Sequence, residues 1–176
     1  MTSVRVWGPG VAAVAVLVAT GAWAMRPVGV EGPLWDEVRP VVEARLLEQV
    51  RGSGAGEPGA RWFCRAQAVD LEQQGGLVRA GVSTLCLEYG VRARSLVECS
   101  GAEVPQVMRL RREADGEYVV VSVETAPDGA GHAEWVTARF GHVTAAALDS
   151  AVPSTALEAA ARRHFGLPAD APVGPC

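Results

Sequence analysis

The 176-residue sequence contains no lysine, no asparagine and no isoleucine, so all 16 of its basic side chains are arginine. The three missing residues have AT-rich codons. Their joint absence marks a GC-rich genome, and the arginine-only chemistry carries little functional meaning. Without asparagine there is no N-glycosylation acceptor. The net charge of −4 leaves no basic excess, which removes the electrostatic footprint of a nucleic-acid binder or of a protein held on anionic lipid. Histidine is scarce as well. His132, His142 and His164 show no i, i+3 or i+4 pairing, whereas a zinc site needs three or four converging ligands. Ser95, Ser100 and Ser150 lack the flanking glycines of a nucleophile elbow. Cysteine first occurs at position 64, too far from the N-terminal apolar run to carry a lipid anchor.

That apolar run is the most informative segment present. "MTSVRVWGPG" carries Arg5 and no acid, "VAAVAVLVATGAWA" is uninterruptedly apolar or small, and Ala22-Trp23-Ala24 places small residues where signal peptidase reads. Residues 1–24 are therefore expected to be a secretory signal peptide, with the mature chain starting at Met25. The alternative is an uncleaved membrane anchor over residues 4–24, although the run from Val11 to Met25 falls short of the ~20 residues that span the hydrocarbon core. In both cases the rest of the chain lies outside the cytoplasm, where disulfides persist. The domain order expected is a tether over 25–33 and a single domain over 34–176, a length suited to one core.

"LWDEVRPVVEARLLEQVRG" places Leu34, Val38, Val41, Val42, Leu46 and Val50 at helical spacing. Pro40 either begins the regular helix or kinks a longer one. After a glycine-rich loop, "WFCRAQAVDLEQQGGLVRAGVSTLCLE" is symmetric about Gly75. A hairpin with the three-residue loop Gln74-Gly75-Gly76 sets Ala66 opposite Thr84, Ala68 opposite Val82 and Cys64 opposite Cys86. A directly opposed, non-hydrogen-bonded pair brings the Cβ atoms close to the spacing that a disulfide requires. The register thus pairs Cys64 with Cys86, and elimination pairs Cys99 with Cys176.

"VPQVMRLRREADGEYVVVSVET" reads as a second hairpin about Asp115-Gly116. In that register Leu110 faces Val121 and Met108 faces Val123, with Arg109 and Arg111 on the other side. "HAEWVTARF" is a short amphipathic segment carrying Trp135, Val136 and Phe140, with His132 and His142 in flanking loops. A last helix over Ser154 to Phe165 has Ser154 and Thr155 as cap candidates and Glu158 behind them. The sum is an α+β domain: an N-terminal helix packed on an antiparallel sheet of two hairpins, a C-terminal helix and two disulfides.

Four features together resemble an uncharacterised family of small secreted or membrane-anchored bacterial proteins, actinobacterial in type, with a cystatin-like helix-on-sheet domain. They are the cysteine-bearing first strand, the return strand "VRAGVSTLCLEY", the segment "VPQVMRLRREADGEYVVVSVETAPDG" and the closing "HAEWVTARF". The likeness covers Trp62 to Phe140. It implies the fold and supplies no catalytic residues. The sequence departs from the family pattern at Gly141, where proline is usual, and in the extra pair Cys99 and Cys176.

No residue pattern assembles a catalytic site, and no cofactor or metal ligand set is expected. Asp36, Glu37, Asp70 and Glu72 read as solvated edges, and Trp35, Trp62 and Trp135 as core anchors. The alternation of strands puts Arg65, Arg109 and Arg111 on one solvent face, with Arg92, Arg94 and Arg112 nearby. That face is a candidate for binding an anionic envelope polymer or an acidic partner. The functional expectation is an exported, non-enzymatic domain that binds a protein or envelope component at the cell surface. The alternatives are a small secreted hydrolase, marked by a pocket that joins His132 or His142 to an acid and a hydroxyl, and a membrane-tethered accessory domain of an envelope complex.

Overall fold

The computed structural model describes residues 30–52, 56–148 and 152–176, without the side chains of residues 143, 146 and 147. The expected signal or anchor segment 1–24, most of the tether and Ser150 lie outside the described residues. Among the described residues, no helix is long and apolar enough to cross a membrane.

Helix α1 spans Pro33–Gly52. Pro33 opens it, where a missing N–H costs nothing. Pro40 lies inside the helix rather than at its start. Proline leaves the Asp36 carbonyl without its helical donor, and both Pro40 and Asp36 are exposed, so water can serve it. Trp35, Val38, Val42 and Leu46 form the buried stripe of the helix.

Four strands follow as an antiparallel meander: β1 Arg61–Gln74, β2 Leu77–Arg92, β3 Ser95–Arg112 and β4 Tyr118–Thr125. A short β5, Val173–Pro175, pairs parallel to β3 at Leu96–Glu98. The two hairpins are thus parts of one five-stranded sheet. β3 runs well upstream of the expected second hairpin, pairing with β2 from Ser95 onward. The polar, small-residue stretch "ECSGAE" hides that strand in the sequence.

In the first hairpin Cys64 faces Cys86, Ala66 faces Thr84 and Ala68 faces Val82. The loop differs from the expectation. Gln74 pairs with Leu77, so the turn is Gly75-Gly76, and a bulge between Ala68 and Asp70 absorbs the extra residue. In the second hairpin Met108 faces Val123 but Leu110 faces Val120, not Val121. The turn explains the correction. Gly116 adopts φ 93°, and its N–H donates to the Glu113 carbonyl at 3.0 Å while the Glu113 N–H donates to Glu117 at 2.8 Å. This is a three-residue loop closed by a left-handed glycine. The register shift between Arg109 and Leu110 then leaves Val121 as the unpaired extra residue.

Helices cover both sheet faces. α1 lies over the face formed by Cys64, Ala66, Ala68, Val78, Ala80, Val82, Met108, Leu110 and Tyr118. The opposite face carries α2, His132–Leu148, and α3, Thr155–Phe165. α2 seats Phe140 on Val69 and Val107, and α3 seats Leu157 and Ala161 on Leu87, Tyr89 and Leu96. α2 breaks at Gly141, whose φ of 68° and ψ of 169° are not helical. His132 and His142 therefore lie within α2 rather than in flanking loops. Ser154 does not cap α3 through its side chain. Its hydroxyl instead donates to Glu158 Oε1 at 2.8 Å.

Disulfides join Cys64 to Cys86 and Cys99 to Cys176. The first pair has Cα atoms 4.1 Å apart, the short spacing of a non-hydrogen-bonded position, and sits in the core under α1. The second ties β5 to β3. Two disulfides are the mark of an oxidising, extracellular-type environment.

Candidate functional site

Strand alternation places Arg65, Arg109 and Arg111 on the face opposite α1, since Arg65 pairs with Leu85, Arg109 with Arg79 and Arg111 with Leu77. The structure does not gather the three. Leu85 and Arg79 are six residues apart along β2, roughly 20 Å at the usual rise, and α2 packs between these levels over Gly81 and Val107. Arg109 and Arg111 share the hairpin tips while Arg65 stands alone near α3. Their charge is also shared with acids: Arg109 approaches Glu124 at 3.6 Å and Arg111 approaches Glu113 at 2.7 Å. Arg112 pairs with Glu37 at 3.0 Å and lies over the Tyr118 ring at 5.4 Å. Arg92 donates to the carbonyl of Cys176, and Arg94 occupies the tight turn into β3 at φ 66°.

Beyond α2 no described helix covers the same sheet face. Leu77, Val119 and Val121 are 55%, 37% and 45% exposed. Leu77, Arg111 and Val119 form one cross-strand row. Leu77 and Val121 further line a shallow depression with Arg79 and Arg109. This end of the sheet combines exposed apolar side chains with guanidinium groups, a composition typical of a contact surface. The sequence carries a faint signal for it. "YVVV" puts apolar residues on both faces of β4, which one covered face does not require.

A second feature is a groove between α2 and the sheet, about 540 Å³ in volume, lined by Ser83, Glu103, Pro105, His132, Val136 and Thr137 among others. It brings a histidine, an acid and hydroxyls to one place. His132 Nδ1 lies 3.2 Å from the Pro127 carbonyl, a contact that leaves Nε2 as the basic nitrogen. No hydrogen bond among the described residues links His132 to Ser83 or Glu103, and Ser83 is 2% exposed in the middle of β2. His142 is exposed and outside this lining. His164, exposed near the end of α3, lies edge-on to Phe63 and Phe165, with ring centroids 5.8 and 4.9 Å away, and is outside the groove lining.

No family model matches the chain. No curated protein and no solved structure does either. Function therefore rests on the chain's own surfaces.

Among the described residues no group of three histidine, cysteine or acidic side chains is placed to hold a metal ion. Asp70 is held by Arg79, Asp36 by Arg39 at 3.4 Å, and Glu72 is exposed. Trp35 is 1% exposed, on the buried stripe of α1. Trp135 stacks edge-on to Phe140 at 6.0 Å. Trp62 differs: it is partly buried and borders a cavity.

Proposed function

We propose that the protein is an exported, non-enzymatic binding domain that contacts a protein or envelope component at the cell surface through the bare end of its sheet. The observation that carries this reading is the exposed set Leu77, Val119 and Val121 beside Arg109 and Arg111. Three large apolar side chains left in water next to cations suit a partner with apolar residues and an acidic rim. The disulfides and the apolar N-terminal segment ending in Ala22-Trp23-Ala24 favour export. A cystatin-like relationship is favoured by α1 packing across the antiparallel meander, with α2 and α3 as an added layer on the other face. An N-terminus retained in membrane fractions would instead make this a tethered accessory domain of an envelope complex.

The test is photo-cross-linking from position 119 or 121 in cells that export the full chain. A discrete adduct is expected, and Leu77→Asp together with Arg109→Glu should abolish it. Adducts that survive the double substitution, or none at all, reject the surface. As a folding control, Val119→Lys with Val121→Lys should change stability by no more than about 0.5 kcal/mol, as exposed positions do.

The groove with Ser83, Glu103 and His132 favours a second reading, a small secreted hydrolase. Ser83 would be the nucleophile and His132 the base. Phosphonate labelling that is lost in both Ser83→Ala and His132→Gln would establish it.

A further inference from the structure

Cross-strand neighbours Trp62, Glu88 and Ser100 form one row on the α1 side of the sheet. They lie beyond the C-terminal end of α1, where Val50 contributes to the same wall. The row floors a cavity of about 540 Å³ completed by Gly56, Glu57, Pro58, Cys99 and Ala102. Glu88 is 3% exposed. Its Oε1 accepts the Glu57 N–H at 3.1 Å, which fixes the carboxylate, and Oε2 makes no hydrogen bond among the described residues.

A buried carboxylate is costly unless a cation or several donors offset it. Here one backbone donor does so, and no cationic side chain among the described residues lies within ion-pair distance. Arg51 and Arg61 stand on the adjoining rim with Glu57, both exposed and neither paired to Glu88. The loop is shaped around this carboxylate: a Cβ on Gly56 would collide with it. Three further features favour positive charge. Glu57, exposed, is a second acidic residue of the lining, Val50 in the last turn of the 20-residue α1 brings the negative dipole end of that helix to the wall, and the Trp62 indole offers an aromatic surface to a cation.

We propose that this cavity is a binding site for an organic cation, a guanidinium or primary ammonium group, with Glu88 as the counter-charge and Trp62 as the aromatic wall. The group arrives either on a free small molecule or on the arginine or lysine side chain of a partner. The site is separate from the bare sheet end, and neither reading depends on the other.

The experiment uses the oxidised full chain and two probes, agmatine and the peptide amide Gly-Arg-Gly, with the Trp62 indole resonance as readout. At least one probe is expected to shift that resonance saturably. Glu88→Gln should weaken binding tenfold or more. Because Glu88→Gln alters a buried group, Ser100→Arg provides a second arm: it sets a tethered guanidinium opposite Glu88 on an exposed strand position and should block binding without unfolding the protein. Arg61→Ala should leave binding intact or strengthen it. Agmatine binding alone identifies a free cation, and peptide binding alone identifies a partner's side chain. No saturable shift with either probe, or equal affinity in Glu88→Gln and Ser100→Arg, overturns the proposal.

Discussion

Tyr89 shows how a single residue is set by its place in the sheet. It is fully buried beneath α3 and faces Glu98 across the β2–β3 pair. Burial, followed by the Glu98 charge, pushes its phenol well above the ordinary tyrosine value. In the unfolded chain the same phenol ionises near pH 10. Above that pH the unfolded state has released the proton while the folded state keeps it. Stability is therefore fully present below about pH 10 and falls as the pH rises further, at up to about 1.4 kcal/mol per pH unit. Tyr89→Phe should flatten that alkaline loss in denaturant melts, and absorbance at 295 nm should show the Tyr89 step only as the protein unfolds. A reversible step near pH 10 with native circular dichroism that disappears in Tyr89→Phe, leaving only the Tyr118 signal, would contradict the assignment. None of this was legible in the sequence, because "LEYGVR" does not reveal that α3 returns to cover Tyr89. Glu88 was hidden for the same reason: a carboxylate in a strand reads as solvent-facing until the end of α1 and the loop at Gly56 close over it.

At the scale of elements, the sequence specified alternation well and turn closure poorly. Small residues at Ala66, Ala68 and Ala80 matched one face to α1, so the register around Cys64 and Cys86 could be read directly. The bulges at Val69 and Val121 could not, since each depends on which glycine closes its turn and no side-chain pattern records that. The loss of one register step at Val121 is also what turns that valine into water and creates the bare surface. In the sequence α2 shows only as a short amphipathic segment, and its seat lies in a strand glycine. A Cβ on Gly81 would stand 2.5 Å from Phe140 Cε1 and 3.2 Å from the Asp70 Cβ. Arg79 fastens the same joint, binding Asp70 and donating to the Arg139 carbonyl at 2.7 Å. Gly81→Ala is therefore expected to lift α2 and cost about 1–3 kcal/mol, as overpacking does. Hydrogen exchange should show lost protection over His132–Phe140 with β1–β3 unchanged. Unaltered protection in α2 would mean that Phe140 does not seat there.

For the whole molecule, the two disulfides act on different parts of the stability. Loop entropy assigns about 3.4 kcal/mol to the bridge spanning 22 residues and about 4.5 kcal/mol to the one spanning 77. Both are large beside the roughly 5–15 kcal/mol of a typical domain. Sequence spacing alone therefore ranks Cys99–Cys176 as the costlier loss. The structure adds a second term. Cys64 and Cys86 are 9% and 4% exposed within the core beneath α1, while Cys176 directly follows the short edge strand β5 and is held also by its own N–H donating to the Glu98 carbonyl at 2.9 Å. Replacing the core pair with serine buries two hydroxyls, each costing roughly 1–3 kcal/mol if left unpaired. The order should then depend on the replacement. With alanine pairs, the loss of Cys99–Cys176 is the larger by about 1 kcal/mol. With serine pairs, the loss of Cys64–Cys86 is the larger by about 1 kcal/mol or more, the opposite order. Urea melts of the four double variants measure both differences. Cys99–Cys176 as the costlier loss with both alanine and serine would show that chain entropy alone sets the cost, and that the sulfurs beneath α1 contribute nothing by being buried.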